Sequence, residues 1–159
     1  MSSVESRPGN PGWRSDADAD LFDDPSFLLA RVNALSLAAG SAALSEHRLR
    51  VRSYSVLALA ASGRQPTQRE LAEFLRLDPS QVVALVDDLQ SRSLVTRLPD
   101  PNDRRVNVVL ATDEGRALHA RAAVSVAAAQ AELLGGLGAA ERRQLTALLR
   151  KLAFPDSAA

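Results

Sequence analysis

The stretch Thr67–Leu110, TQRELAEFLRLDPSQVVALVDDLQSRSLVTRLPDPNDRRVNVVL, decides the fold of this 159-residue chain. Thr67 and Glu70 stand three residues apart, where a hydroxyl and a carboxylate can each accept a backbone N–H at a helix start, a capping box. This predicts a helix through about Arg76, with Leu71, Ala72, Phe74 and Leu75 on its buried side. Asp78, Pro79 and Gln81 repeat the pattern with a cap, a residue whose fixed φ suits the first turn, and a box glutamine. Val82, Leu85, Val86 and Leu89 then form one apolar stripe on a second helix. Two short helices so closely joined are a helix-turn-helix.

Two β-prone runs follow, Leu94–Leu98 and Val106–Leu110, around the polar turn 99–105. They predict a hairpin, and a hairpin directly after a helix-turn-helix is a winged helix. Its tip carries Arg104 and Arg105, adjacent charges that no core could hold unpaired. On the second helix, Ser80, Gln81, Ala84, Asp88 and Ser91 share the face opposite the apolar stripe. Small polar side chains suit a face that must lie flat in a major groove.

Outward from this head, residues 1–24 are rich in Pro, Gly, Ser and Asp, without an apolar period, and read as a flexible acidic tail. Asp24 and Pro25 open an amphipathic helix expected to reach about Leu49, and Ser53 is expected to cap a short helix, Tyr54–Ala61, ended by Ser62 and Gly63. On the other side Thr112 caps an Ala-rich helix, with Asp113 and Glu114 at its positive end, running to about Leu134. Gly135 and Gly136 interrupt, and Ala139–Leu152 forms a last amphipathic helix. The expected class is mainly α with a small β-hairpin wing. The divisions are a tail at 1–24, an N-terminal dimerisation helix at 25–52, a winged head at 53–111 and C-terminal dimerisation helices at 112–154. The outer helices are too apolar to stand alone, and a second copy of the chain is their natural cover.

Composition narrows the function. The chain has no cysteine, hence no disulfide, thiolate metal site or thiol switch. His47 and His119 are too far apart in sequence to make a metal site by themselves. There is no phosphate-binding glycine loop, nucleophile elbow or zinc-helix motif. Asp87 and Asp88 diverge by about 100° on a helix, wrong for a carboxylate dyad. An enzyme is therefore not expected, nor a cofactor. With no uninterrupted apolar span and no export signal, a cytoplasmic protein without membrane contact is expected. The net charge is zero, and the head from Arg64 to Arg105 balances seven arginines with seven acids. That balance leaves open an alternative, a winged helix serving as a protein–protein interaction module without sequence-specific DNA binding.

The wing DPNDRRVNVVLATDEG, the helix pair TQRELAEFLRLDPSQVVALVDDL and the closing ERRQLTALLRKL together resemble the multiple antibiotic resistance regulator (MarR) family of bacterial transcription factors. The resemblance covers about residues 27–152, and its most specific element is the Asp-x-Arg wing followed by a strand and a Thr-x-x-Gly helix start. It implies a homodimer on a pseudo-palindromic duplex, an inverted repeat, most often as a repressor. Pro79 to Arg92 match the recognition helix, with Ser80, Gln81, Val83 and Ala84 toward the bases. Arg105 matches the minor-groove residue, and Asp103 folds back to hold the wing arginine and its turn. Arg97 and Arg104 match phosphate contacts, as do Thr67, Gln68 and Arg69 at the start of the supporting helix. Two positions depart from the family pattern. Ser93 stands where glycine usually makes a left-handed turn, and Asp88 where a basic residue is common.

Many members also bind a small aromatic or anionic effector between the dimerisation helices and the head. His47, Arg50, Arg52 and Tyr54 are the candidates here. Each has a plainer reading: Tyr54 as a half-buried core aromatic, His47 as an exposed helical residue, and His119 as solvated.

Overall fold

The structure is a computed structural model and describes residues 19–101 and 103–155. The acidic tail expected at 1–24 lies outside the described residues as far as residue 18. Two compact units result, Met1–Leu35 and Ser36–Ala159.

In the first unit a helical turn, α1 (Ala19–Phe22), occupies residues expected to belong to the tail. Apolar contact corrects that expectation, because the Phe22 ring meets Phe27 edge-on at 6.1 Å. The Asp24 carboxylate accepts the Phe27 N–H at 2.7 Å, and Pro25 opens α2 (Pro25–Ser45), as the sequence predicts. Leu28, Leu29, Val32 and Leu35 along α2 are all exposed. Arg31, Asn33, Ser36 and Ser41 interrupt the apolar residues of α2. Even so, its length and a mean hydropathy of 1.5 over 18 residues match a membrane span by composition alone.

In the second unit α2 stops at Ser45, four residues earlier than expected. Arg48 turns left-handed at φ 51°, Arg48 N–H returns to the Ser45 carbonyl at 2.9 Å, and Leu49 N–H returns to Leu44 at 3.2 Å. This is a Schellman stop, and its apolar partners Leu44 and Leu49 are both buried. The next helix, α3 (Val51–Ala61), starts before Ser53, which sits buried inside it rather than capping it. Arg50 takes the cap position without a side-chain bond.

The head follows as α4 (Gln68–Leu75), α5 (Pro79–Ser91), β1 (Val95–Pro99) and β2 (Asn107–Ala111). Val56 and Leu57 of α3, Leu71 of α4, Val82, Val86 and Leu89 of α5, and Val95 and Val109 of the hairpin form the core. Burial on this scale, about 25 cal/mol per Å² of apolar surface, holds the three helices to the hairpin. Phe74, expected on the buried side of α4, is 53% exposed and stacks on Phe154 at 5.8 Å. The strands pair antiparallel with Arg97 opposite Val109. Thr67 bridges to Val108, and Val109 N–H reaches the Pro66 carbonyl at 2.8 Å, so the loop before α4 adds a third edge that periodicity did not predict.

Thr112 then opens α6 (Asp113–Leu133), accepting the Gly115 N–H at 3.0 Å, and α7 (Ala139–Ala153) closes the chain. No residue of α7 is buried; Leu148, Leu149 and Leu152 stand exposed.

Candidate nucleic-acid interface and effector cavities

Hydrogen bonds confirm the helix starts that present this face. Thr67 Oγ1 accepts the Glu70 N–H at 3.1 Å, while Glu70 Oε2 accepts the Thr67 N–H at 2.7 Å and its hydroxyl at 2.9 Å. Those donors, the backbone N–H first, hold the Glu70 carboxyl below its ordinary value. Gln68 and Arg69 follow in the first turn, with Arg69 paired to Glu73 at 2.8 Å on the surface.

At α5 the Asp78 carboxylate accepts the Ser80 N–H at 2.8 Å and the Ser80 hydroxyl at 2.5 Å. The cap thus closes on Ser80, two residues along, and Gln81 does not act as the box glutamine predicted for it. Two consequences follow for reading DNA. The hydroxyl proton of Ser80 is committed to Asp78, so Ser80 meets an outside group only as an acceptor. The Gln81 amide is exposed and, among the described residues, no hydrogen bond engages it. Pro79, Val83 and Ala84 are exposed beside it, with Val83 42% exposed. Asp88 is held by Arg92 at 3.5 Å.

In the wing, Asp103 folds back as expected, but onto backbone: its carboxylate accepts the Arg105 N–H at 3.0 Å, and its carbonyl the Val106 N–H at 3.0 Å. Asp103 therefore shapes the turn and leaves the Arg105 guanidinium untouched. Among the described residues neither Arg104 nor Arg105 has an acidic partner, and both are exposed. Arg97 differs. Its Nε donates to Gln68 Oε1 at 2.6 Å, one terminal nitrogen to Gln90 Oε1, and the other to Asp87 Oδ1 at 2.5 Å.

The effector candidates are divided between two places. Tyr54 lines a cavity of about 180 Å³ with Gly40, Leu44 and Val126, and burial pushes its hydroxyl pKa up. Arg50 and Arg52 line an open groove of about 990 Å³ with Arg48, Arg92 and Gln81. Both histidines are more engaged than expected. His47 Nε2 lies 2.9 Å from Ser125 Oγ, half-buried rather than exposed, and His119 stacks on Tyr54 at 5.4 Å instead of standing in solvent. No metal-ligating group of three occurs among the described residues.

The model of the MarR family matches residues 52–106, the head and its wing. A crystal structure of a transcriptional regulator of that family from Rhodococcus sp. RHA1 superposes with a TM-score of 0.79 at 43% identity, covering 85% of this chain and 97% of that one. CouR from Rhodococcus jostii RHA1, bound to p-coumaroyl-CoA, superposes at 0.78 with 45% identity, over 85% and 95% of the two chains. Among curated proteins the HTH-type transcriptional repressor NicR of Pseudomonas putida is 37% identical over 91 residues, 57% of either chain. The match spans about three fifths of the length of such curated relatives.

Proposed function

This chain belongs to the MarR family of transcriptional regulators, and we propose that it acts as a homodimeric repressor on an inverted repeat in duplex DNA, released by an aromatic, anionic effector. The observation that carries the DNA reading is the wing. Asp103 holds a turn that presents Arg104 and Arg105 exposed and, among the described residues, without acidic partners, and Pro79, Ser80, Gln81, Val83 and Ala84 of α5 are exposed as well. In this reading Gln81, Val83, Ala84 and the acceptor oxygen of Ser80 face base edges, Arg105 enters the flanking minor groove, and Arg104 meets phosphate. Thr67, Gln68 and Arg69 bring the positive end of α4 to the backbone. Asp103 acts through the wing's shape. The protein works in the cytoplasm, where its DNA is.

Two-fold symmetry then places the half-sites about one helical turn, ~10 base pairs, apart. The second copy covers the leucines that α2 and α7 leave exposed, which also accounts for the apolar character of α2 without a membrane. For the effector, the arginines of the large groove suit an anion and the Tyr54 cavity suits a ring. The p-coumaroyl-CoA bound to CouR joins both chemistries in one molecule.

Titrating a duplex, selected by the wild type from a random pool, against salt tests this function. The wild type binds with a steep salt dependence, and Arg104→Ala/Arg105→Ala binds more weakly with a slope shallower by about 2. Equal, salt-insensitive behaviour of both proteins favours instead the interaction module that the neutral head allows. Release of the duplex by p-coumaroyl-CoA, with no release by free coenzyme A, supports the effector class.

A further inference from the structure

Arg97 has the composition of a phosphate contact and the geometry of something else. It stands on β1, at the root of the wing, yet each of its three nitrogens donates one hydrogen bond back into the head. Nε reaches Gln68 at the start of α4, and the terminal nitrogens reach Gln90 and Asp87 near the end of α5. Its side chain is only 21% exposed, against 61% for Asp87. A guanidinium is a planar fork of N–H donors, so one residue can hold three elements at fixed angles, which an ammonium cannot. Since arginine only donates, both glutamines must turn their oxygens toward it. The N–H₂ ends of Gln68 and Gln90 are thereby directed away from Arg97.

We propose that Arg97 is a positioning residue which, with Asp87, locks the wing to the recognition helix and fixes the Gln68 amide donor-outward for a backbone phosphate, rather than touching DNA itself. The proposal rests on the DNA-binding reading above. It assigns Asp87 a role as well: an acid on the DNA-facing head that strengthens binding. A direct phosphate contact at Arg97 predicts the reverse sign, because removing Asp87 would free the guanidinium and delete a repulsive charge.

The test uses the full chain and the duplex selected by the wild type, at a temperature well below the melting point measured for each variant. Asp87→Asn is expected to weaken binding on the order of tenfold although it removes a negative charge. Arg97→Lys is expected not to restore the loss seen in Arg97→Ala, and Arg97→Ala/Asp87→Asn to be no weaker than the worse single variant. In these variants hydroxyl-radical protection of the flanking minor groove falls, while guanine methylation protection in the major groove stays. A loss of stability alone would weaken both protections together. Tighter binding by Asp87→Asn, near-wild-type binding by Arg97→Lys, or additive losses with the wing's protection intact each overturn the proposal. A wild type that selects no duplex overturns the DNA reading and this inference with it.

Discussion

The hydroxyl of Thr112 donates to the carbonyl of Ser93 at 2.7 Å while accepting the Gly115 N–H at 3.0 Å, tying the end of the recognition helix to the start of α6. Ser93 is left-handed, at φ 58°. The bond therefore clamps the one backbone conformation in this turn that an L-residue resists.

Removing either element has a calculable effect. Thr112→Val loses a helix cap and the clamp together, and is expected to lower stability by about 1–2 kcal/mol. Ser93→Gly relieves the left-handed strain and raises stability by up to ~1 kcal/mol, the gain reduced by glycine's freedom in the unfolded chain. Urea midpoints of the three proteins check both signs. A destabilised Ser93→Gly would mean that the side chain supports the turn.

Gly115 sits in the same joint for a different reason. A Cβ there would lie 1.9 Å from the Leu94 carbonyl oxygen, which is backbone and cannot swing away, and 3.3 Å from the Leu57 side chain. Gly115→Ala is expected to destabilise the chain by ~3 kcal/mol or more, since α6 must separate from the strand. Thermal unfolding reads this directly. A variant within 1 kcal/mol of wild type would show that the joint opens easily.

Most helix ends were legible in the sequence, with α3 stopping at Ala61 and α4 at Arg76 as expected, whereas the stop of α2 and the start of α3 were not. Thr67, Asp78 and Thr112 cap where their side chains predict, because a cap is a local bond between near neighbours. Three stops instead use left-handed residues other than glycine, Arg48, Arg76 and Ser93. In each, the following leucine returns its N–H to a residue five back: Leu49 to Leu44, Leu77 to Ala72, Leu94 to Leu89. Packing of those leucines against the core offsets the left-handed strain, a term that no local residue preference contains. The site shows the same division. The wing arginines could be named from spacing, whereas the engagement of Arg97 depends on Gln68 and Gln90, which lie 29 and 7 residues away. The sharing of Ser80's proton with Asp78 is local and could have been found, since a serine two residues after an aspartate cap is within reach of the carboxylate.

Acid should loosen the start of α4. Glu70 titrates below its ordinary value because the Thr67 N–H and hydroxyl donate to the charged form. A depressed folded pKa contributes stability that is fully present above the unfolded value, near 4.5, and is lost as pH falls through the folded one. The carboxylate is exposed, so its contribution is well under ~1 kcal/mol. Glu70→Gln keeps a box acceptor and removes the titration. Protection factors in α4, which discount the intrinsic slowing of amide exchange in acid, should therefore fall as the pH drops below about 4.5 in the wild type and change less in the variant. Parallel curves would show that the box contributes nothing through charge.

Asp88 is the position where charge and the DNA reading conflict most openly. Its carboxylate lies on the exposed face of α5 and pairs with Arg92 at 3.5 Å, one turn on. Such a surface pair is worth only ~0.3–0.5 kcal/mol. Breaking it costs the fold little, while an acid facing phosphate costs affinity at every salt concentration. Asp88→Arg places two arginines at i and i+4, a repulsion of a few tenths of a kcal/mol that nearby phosphate would screen. Binding to the selected duplex is expected to tighten by about tenfold at low salt, with a slope of log affinity against log salt steeper by about 1. Base preference should stay unchanged, because a phosphate contact carries no sequence information. If affinity and slope both stay at wild-type values, Asp88 does not face the backbone, and α5 must enter the groove rotated from the Gln81–Ala84 face proposed for it.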